Sequence, residues 1–392
     1  MLGLEADSPR GRIYQILQVD QGNLAIADSL VTHIDRCLGC LACETACPSG
    51  VKYGHIVERA RAEIEQNYRR PLLARLARRY TYKTLLKSFR VLAFWATLLR
   101  FYQRSGLQSM VRESGVLKSL GVESTEALSP QIDDHFSFDD LGKTFPAEGE
   151  QRARVAFLIG CIASVSFAEL NRATIRVLQK NGVTVYVPPQ QSCCGALHAH
   201  AGFRDDARDL ARKNIDAMLA DNVDAIITNA AGCGSMMKEY GDLLAHDPLY
   251  AQKAKVLVAK TRDVNEFLAE LGLRSPRQKI EVRVTYQDPC HLVHAQKIRS
   301  APRELLHAIG ADLIEMPHSD QCCGSAGTYN VVQNELSMKI LEAKMEDVSS
   351  TDADIIATAN VGCILQLRAG VAQRNLKRRV AHVIELLDEA FR

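Results

Sequence analysis

Short apolar runs alternate with longer amphipathic segments through the second part of the chain. Arg154–Gly160 and Val183–Val187 are mainly apolar, and Phe167–Lys180 between them has helical spacing. A second amphipathic segment and a third apolar run follow, Arg204–Ala220 and Asp224–Asn229. Buried strands of parallel sheets read as continuous apolar runs. Because strands and helices alternate, we predict a small parallel sheet with helices on its faces.

The same order of elements then returns along the chain. Its predicted strands are Val282–Tyr286, Asp312–Met316 and Asp354–Thr358, with helices at Pro302–Ile309 and Val331–Asp347. Four cysteines follow the strands of each copy: Cys161, Cys193, Cys194 and Cys233 in the first, and Cys290, Cys322, Cys323 and Cys363 in the second. In each copy, 32 residues separate the first cysteine from the second. This register predicts a duplicated α/β unit over residues 153–275 and 276–392.

Each set of four cysteines, here called a quartet, is expected at the carboxyl ends of its strands, where open α/β sheets bind ligands. The quartets then share one crevice or form one crevice per half. Four thiolates suit an iron–sulfur cluster or tetrahedral zinc. The alternative is that these are small buried apolar side chains, which matched spacing disfavours. Nearby histidines are candidate ligands or proton carriers, or residues that satisfy loops; they are His198, His200, His291 and His294.

The strongest chemical signal lies near the start of the chain. Cys37, Cys40, Cys43 and Cys47, followed by Pro48, have the spacing C-x2-C-x2-C-x3-C-P. This is the bacterial ferredoxin run that ligates a [4Fe–4S] cluster. Zinc sites usually consist of two separated C-x2-C pairs, so zinc is the weaker interpretation. Helical patterns bracket the run, and we predict a helical ferredoxin-like module over residues 1–66.

A basic segment follows this module at residues 67–104. Ten Lys or Arg and no Asp or Glu occur between Arg69 and Arg104, with leucines and aromatic residues among them. The pattern predicts a basic amphipathic helical arm. One interpretation is a helix packed on the body with a solvated basic face. The other is a surface that docks on an acidic partner subunit or an anionic membrane, with Arg75, Arg78 and Arg79 in contact.

Residues 105–152 show little periodicity and are expected to form a linker. The whole chain has 392 residues and a net charge of +2, and it lacks a groove-reading motif, so we expect no nucleic-acid partner. Twelve cysteines without a signal peptide indicate a reducing, cytoplasmic setting. Peripheral contact with the inner face of the cell membrane stays open. No nucleotide-binding fingerprint or Ser-His-Asp order is present, so we assign no catalytic residue.

The chain resembles the glycolate oxidase iron–sulfur subunit family, in which two ferredoxin runs precede two cysteine-rich CCG modules, and the run of this chain resembles the second. The motifs that carry this resemblance are Ser8–Tyr14, Asp35–Cys37, Cys43–Gly50, Lys238–Gly241, His294–Lys297 and Cys322–Tyr329. Two features depart from related families. Only one ferredoxin run is present, so either the start is truncated or one cluster is absent. The C-x2-C closure of heterodisulfide reductase modules is also missing, because Met236 and Gln366 stand where its last cysteine would be.

The resemblance implies an α+β multidomain protein that relays electrons. By this resemblance, a separate flavin-containing 2-hydroxy-acid dehydrogenase subunit would carry FAD and oxidise glycolate to glyoxylate. This chain would then pass the electrons to a quinone-type acceptor. A [4Fe–4S] cluster is expected at the ferredoxin run, with further iron–sulfur or zinc centres at the quartets. Three alternatives remain. The first is an iron–sulfur subunit of a dehydrogenase for D-lactate, another 2-hydroxy acid or glycerol-3-phosphate. The second is a heterodisulfide-reductase-like thiol catalyst, and the third is a zinc-stabilised scaffold.

Overall fold

The computed structural model describes residues 3–392 except 120, 122, 124, 125 and 127. Four helices surround the loop that carries the ferredoxin run: Pro9–Asp20, Asp28–Asp35, Ala42–Ala46 and Tyr53–Asn67. Ser8 caps the first of them by accepting a hydrogen bond from the Gly11 N–H at 2.9 Å. Leu30, Ile34, Val57 and Ile64 form a small core that holds these helices together.

The basic arm is helical, as its pattern predicts. Helix Leu72–Tyr80 continues through a wider turn at Thr81–Leu85, and helix Phe89–Arg104 follows. Tyr82, Leu86 and Leu92 are buried against the core of the first α/β half. One face of the arm is therefore packed on the body, as the first interpretation of this segment expects, and docking on a partner or a membrane stays a prediction.

The first α/β half contains a five-stranded sheet. Its strands are β1 (Thr144–Phe145), β2 (Ala153–Leu158), β3 (Val183–Tyr186), β4 (Ala225–Thr228) and β5 (Thr261–Asp263). They lie in the order β1-β3-β2-β4-β5, and only the pairing of β1 with β3 is antiparallel. The connecting helices are Ile162–Ser166, Ala168–Lys180, Ala196–His200, Arg204–Met218, Ala231–Lys238, Tyr240–Leu243, Ala251–Lys260 and Val264–Leu271.

The second half repeats this arrangement with four parallel strands. They are β6 (Arg283–Tyr286), β7 (Asp312–Leu313), β8 (Ile355–Thr358) and β9 (Arg379–His382), in the order β7-β6-β8-β9. A wide turn at His291–Ala295 precedes helices Ser300–Ala308, Tyr329–Val332, Asn334–Ser349, Val361–Gln373 and Val383–Phe391. The predicted parallel sheets and the duplication are confirmed.

The two halves share one hydrophobic core. Phe157 and Val185 of the first sheet belong to the same buried cluster as Tyr286 and Ile356 of the second. Helix Ala168–Lys180 packs against the last helix, and a two-pronged ion pair of 2.8–2.9 Å joins Arg176 to Asp388 between them. The two halves therefore pack against each other through a common core and are not independent domains.

Two features of the sheets differ from the sequence prediction. Strands β5 and β9 were not predicted, because each is short, carries an arginine and has no apolar run. Both end at a residue that caps the next helix, Asp263 and His382, and the backbone N–H of each cap donates in return to Glu266 or Glu385. The expected linker at residues 105–152 contains helices Leu107–Glu113 and Val116–Ser119 and supplies β1, whose two residues are too few to show alternation. In the part of the chain that the structure describes, every helix is too short or too polar to cross a bilayer.

A buried ion pair stabilises the second half just before its first cysteine. Arg303 donates two hydrogen bonds of 2.8 and 2.9 Å to Asp288, whose side chain is 1% exposed. We expect Arg303→Met to cost about 3–5 kcal/mol of unfolding free energy, because it leaves a buried carboxylate without its partner. Arg299→Met is the control: its 2.7 Å pair with Asp320 is exposed and should be worth less than about 1 kcal/mol. Urea denaturation measures both losses, and equal losses would contradict this account.

Candidate functional site

The loop of the ferredoxin run turns three thiols toward one another. Gly39 and Leu41 have positive φ angles of 67° and 62°, which curl the chain tightly between the cysteines. Burial, followed by the charges of Cys40 and Cys37, raises the pKa of Cys43 to about 11. The Gly39 N–H points to the Cys37 sulfur at 3.4 Å. This loop therefore has the inward sulfurs and the amide donor that suit an iron–sulfur cluster.

The fourth cysteine of the run has a different environment. The thiol of Cys47 accepts hydrogen bonds from the backbone of Val51, Ser49 and Gly50, which lower its pKa. It lies in a partly exposed turn, whereas Cys37 is buried. The structure thus groups Cys37 with the next two cysteines of the run and holds Cys47 in a polar turn.

The run faces the second α/β half. Burial, and next the charge of Cys290, raises the pKa of Cys40 to about 12. Two side chains of the second half, His294 and Lys297, contact the hydroxyl of Thr45 at 3.1 and 3.0 Å. The Tyr329 hydroxyl donates to the carbonyl of Arg36 at 3.1 Å. The ferredoxin loop and the second quartet therefore adjoin each other.

The first quartet is assembled at the carboxyl ends of β2, β3 and β4. Cys161 hydrogen-bonds to Cys193, which hydrogen-bonds to Cys194. The Cys194 thiol reaches the Cys233 sulfur at 3.3 Å. Residues distant in the sequence therefore meet at the sheet edge where the topology predicts a ligand site.

Buried polar side chains fix the turn that carries the vicinal pair. Asn214 donates to the carbonyl of Cys193 at 3.0 Å, and the Tyr240 hydroxyl donates to the carbonyl of Cys194 at 2.7 Å. Gly195 follows with φ of 87°, and a Cβ there would stand 3.4 Å from the backbone of Ala207. The left-handed turn therefore favours glycine directly after the two cysteines.

The second quartet repeats this arrangement. Hydrogen bonds link Cys290 to Cys322, Cys322 to Cys323 and Cys323 to Cys363. The Gly324 N–H lies 3.4 Å from the Cys322 sulfur, and Asn360 donates to the Cys363 sulfur at 3.4 Å. The thiols of each quartet therefore meet within their own half, and the Gly232 N–H beside Cys233 points to Asn360 of the second half at 3.4 Å.

In both quartets the thiols have other thiols as neighbours, and these neighbours do not offset the negative charge of an ionised thiol. The hydrogen bond to Cys193 and burial raise the pKa of Cys161, and the bond to Cys322 and burial do the same for Cys290. Ionised thiolates at these places need a cationic partner, and four soft sulfurs fit an iron–sulfur cluster or zinc. Across the described residues, no three or more His, Cys, Asp and Glu side chains are arranged around the position of one metal ion.

The residues that replace a further cysteine in each half belong to the interior. Met236 is 3% exposed and packs in the core of the first half. Gln366 is fully buried and donates to the Ser337 hydroxyl at 2.9 Å. These contacts favour sites of four cysteines over sites of five.

The candidate histidines mainly join segments of the chain. His198 contacts the carbonyl of Tyr82 in the arm at 2.7 Å, and His200 contacts Glu58 of the N-terminal module at 2.8 Å. His294 contacts Thr45 and the carbonyl of Asp320. His291 alone lies beside a thiol, with Nδ1 3.4 Å from the Cys290 sulfur, and burial lowers its pKa to about 3.

Two residues near the run were not found from the sequence. The Tyr53 hydroxyl donates to the Cys37 sulfur at 3.5 Å. Arg61 donates to the carbonyls of Cys37 at 2.5 Å and His200 at 3.0 Å, so it ties the run to the first half. Their position in the helix after the run was the only available signal, and helical spacing alone does not show which side chains turn back to the loop.

Two family models match this chain. The cysteine-rich CCG domain matches residues 155–238 and 284–368, and the linker region of the glycolate oxidase iron-sulfur subunit matches residues 73–128. A probable glycolate oxidase iron-sulfur subunit from Bacillus subtilis is 41% identical, covering 98% of this chain and 88% of that protein. The glycolate oxidase iron-sulfur subunit of Escherichia coli is 34% identical, covering 100% of this chain and 90% of that protein.

More distant similarities reach other protein types. Lactate utilization protein A from Geobacillus kaustophilus is 30% identical over 60% of this chain and 98% of its own length. A crystal structure of a hypothetical protein from Helicobacter pylori has a TM-score of 0.54 at 10% identity, covering 98% of this chain and 76% of that one, and it supports the fold alone. With the full-length identities, the two family models and the paired quartets in agreement, this chain belongs to the glycolate oxidase iron–sulfur subunit family.

Proposed function

We propose that this chain is the electron-transfer subunit of a 2-hydroxy-acid dehydrogenase complex, with glycolate as the first candidate substrate. A partner subunit with FAD would oxidise glycolate to glyoxylate, and this chain would carry the electrons to a quinone-type acceptor. The names of the two full-length relatives support glycolate, and the lactate utilization relative keeps D-lactate as the second candidate. The observation that carries the proposal is the contact of the ferredoxin loop with the second quartet.

In this proposal Cys37, Cys40, Cys43 and Cys47 hold a [4Fe–4S] cluster, and Cys47 binds it from the partly exposed turn at the end of the run. The two quartets hold the further centres. Iron–sulfur clusters supply one-electron redox chemistry at potentials set by nearby hydrogen bonds and solvent exposure. The chain's own residues bury the sulfurs, donate N–H and O–H groups to them and keep neighbouring sites close.

The basic arm is the proposed docking surface for the partner. Its outward side exposes apolar side chains, with Leu73 81% and Phe101 65% exposed; the others are Leu72, Leu76, Tyr80, Phe94, Trp95 and Leu98. Among the residues that the structure describes, four exposed arginines of the arm have side chains without an ion pair or hydrogen bond: Arg69, Arg75, Arg79 and Arg90. Clustered exposed apolar area marks an interaction surface. Contact with the inner face of the membrane is the alternative use of the same surface in a cytoplasmic protein.

Arg78 does not belong to this surface, contrary to the sequence prediction. Its guanidinium donates to Glu65 and to the carbonyl of Ala201, both at 2.7 Å. It also lies over the rings of Tyr82 and Phe203 at 5.6 and 5.5 Å. These contacts hold Arg78 against the body, whereas Arg75 and Arg79 of the same helix are exposed.

The function is tested by mixing the anaerobically purified chain with its flavin partner and glycolate. We expect the visible absorbance of the chain to bleach with glycolate and to return on addition of ferricyanide. Bleaching with D-lactate but not with glycolate would support the second candidate. Absence of bleaching with either substrate, in a chain that dithionite does bleach, would contradict the proposed role.

The hydroxyl of Tyr53 should tune the centre at the run. A hydrogen bond to sulfur stabilises the more negative, reduced state, so Tyr53→Phe should lower the reduction potential. A net bond of about 1 kcal/mol corresponds to roughly 40 mV for one electron. Tyr68→Phe is the control, because the Tyr68 hydroxyl bonds Asp28 at the surface of the same module. Redox titration followed by electron paramagnetic resonance measures both shifts, and equal shifts would argue against the Tyr53 contact.

Charge reversal on the arm tests the docking surface. The double variant Arg75→Glu/Arg79→Glu should weaken binding of the flavin partner at least tenfold, because it opposes the charge of an acidic partner surface. Surface plasmon resonance at two salt concentrations measures the affinity. Lys255→Glu/Lys377→Glu makes the same change of charge at exposed lysines outside the arm and should leave binding unchanged. Unchanged affinity in the arm variant would place the partner elsewhere.

A further inference from the structure

A cavity of about 240 Å³ lies where the ferredoxin loop meets both α/β halves. Its wall includes Leu41 from the loop, Glu58 from the following helix, His200 and Glu239 from the first half, and His294 and Lys297 from the second. No cysteine of the run or the quartets lines it. The cavity is therefore separate from the thiol groups and adjoins the elements that carry them.

The wall of the cavity has an apolar part and a polar part. Leu41, Val51, Val57 and Ala295 supply apolar surface. Lys297, already bonded to Thr45, contributes an ammonium group with further donor capacity. Pockets that combine apolar walls with a few convergent polar groups bind small molecules. The volume and the mixed wall suit a flat ring that carries polar atoms at its edge.

Two carboxyl groups of the wall have different surroundings: Glu58 is buried and Glu239 is half-buried. Glu58 has basic partners, with His200 at 2.8 Å and Arg204 at 3.7 Å. Although burial acts in the opposite direction, the hydrogen bond and charge of His200 hold the pKa of Glu58 below its usual value. Glu58 is thus a fixed carboxylate that keeps His200 in place.

Glu239 lacks such compensation. The Ser235 hydroxyl donates to it at 3.2 Å, and within the described residues no cation lies within 4 Å of its carboxyl group. Burial, and next the charge of Glu58, raises the pKa of Glu239 to about 7. His200 and Ser235 lower this pKa by smaller amounts, and Glu44 raises it slightly. Glu239 therefore exchanges its proton near neutral pH, which a purely structural carboxyl group does not need to do.

We propose that this cavity binds and reduces a quinone-class acceptor, with Glu239 as its proton donor. This inference rests on the proposed function, which supplies the electrons. Reduction of the ring takes two electrons, which iron–sulfur centres bound by the cysteines would supply, and each of its two carbonyl oxygens gains one proton to become a hydroxyl. Glu239 gives one proton and is reprotonated from solvent to give the next.

A route to solvent and to the docking surface adjoins the cavity. His55 and Asp242, 3.6 Å apart, line both the cavity and an open depression of about 1060 Å³. Arg75 and Arg79 of the arm form part of the wall of that depression. The acceptor and its protons can therefore enter from the side of the molecule that carries the arm.

The test uses the anaerobically purified, cluster-loaded chain reduced with dithionite. Menadione, a soluble quinone, and ferricyanide, which takes up electrons without protons, are compared as oxidants. Glu239→Gln should slow menadione reduction about 100-fold at pH 6.5, because a positioned acid is lost, and should leave ferricyanide reduction unchanged. In the unmodified chain the menadione rate should fall above pH 7, as Glu239 loses its proton, and this dependence should vanish in the variant. Glu304→Gln, at an exposed acid outside the cavity, is the control.

A second variant tests binding without turnover. Val51 is 36% exposed at the edge of the cavity, so Val51→Trp should fill the space with little effect on folding. Isothermal titration calorimetry of a redox-inert quinone analogue, 2-heptyl-4-hydroxyquinoline N-oxide, should show binding to the unmodified chain and at least tenfold weaker binding to Val51→Trp. Normal analogue binding and menadione rates in both variants would overturn the proposal. A chain that reduces neither oxidant would instead refute the proposed electron-transfer function.

Discussion

The structure depends on the buried sulfur atoms of its cysteines, because burial makes their ionised form costly unless a positive charge binds beside them. Each quartet places its four thiols next to one another in a row at the edge of a sheet, and burial together with neighbouring sulfurs opposes their ionisation. A cationic centre would relieve this cost and bind the strands that supply the thiols. Asn214 and Tyr240 bond the carbonyls of Cys193 and Cys194, and in the second half Gln366 donates to Ser337, which bonds the carbonyl of Gly324 after the vicinal pair. Each set of bonds stiffens the turn that carries its cysteines.

The second constraint is the distance between sites. Arg61 and Thr45 bind the ferredoxin loop to the first and second halves, and Tyr329 bonds the backbone just before the run. The shared core of the halves fixes the two quartets relative to each other. The proposed relay requires such fixed neighbours, and these contacts provide them.

Most of the architecture could be predicted from local patterns. Apolar runs located the central strands, and the repeated cysteine spacing located both quartets, because residues at the ends of neighbouring parallel strands must meet. Strands β5 and β9 escaped because their stability comes from pairing with β4 and β8, not from their own composition. Contacts such as Cys40 with Cys290, or Glu239 with the cavity, depend on how modules pack, and no spacing along one chain encodes them. Glu239 lies inside the motif Lys238–Gly241, which contributes to the family resemblance but does not indicate what Glu239 does.

The central claim is that the buried cysteines hold iron–sulfur centres. The most direct measurement is the content of iron, zinc and acid-labile sulfide per chain after anaerobic purification. The account predicts iron and sulfide in equal amounts and well above the four irons of a single [4Fe–4S] cluster, with no zinc. About one zinc for each quartet, or iron limited to a single cluster, would contradict it.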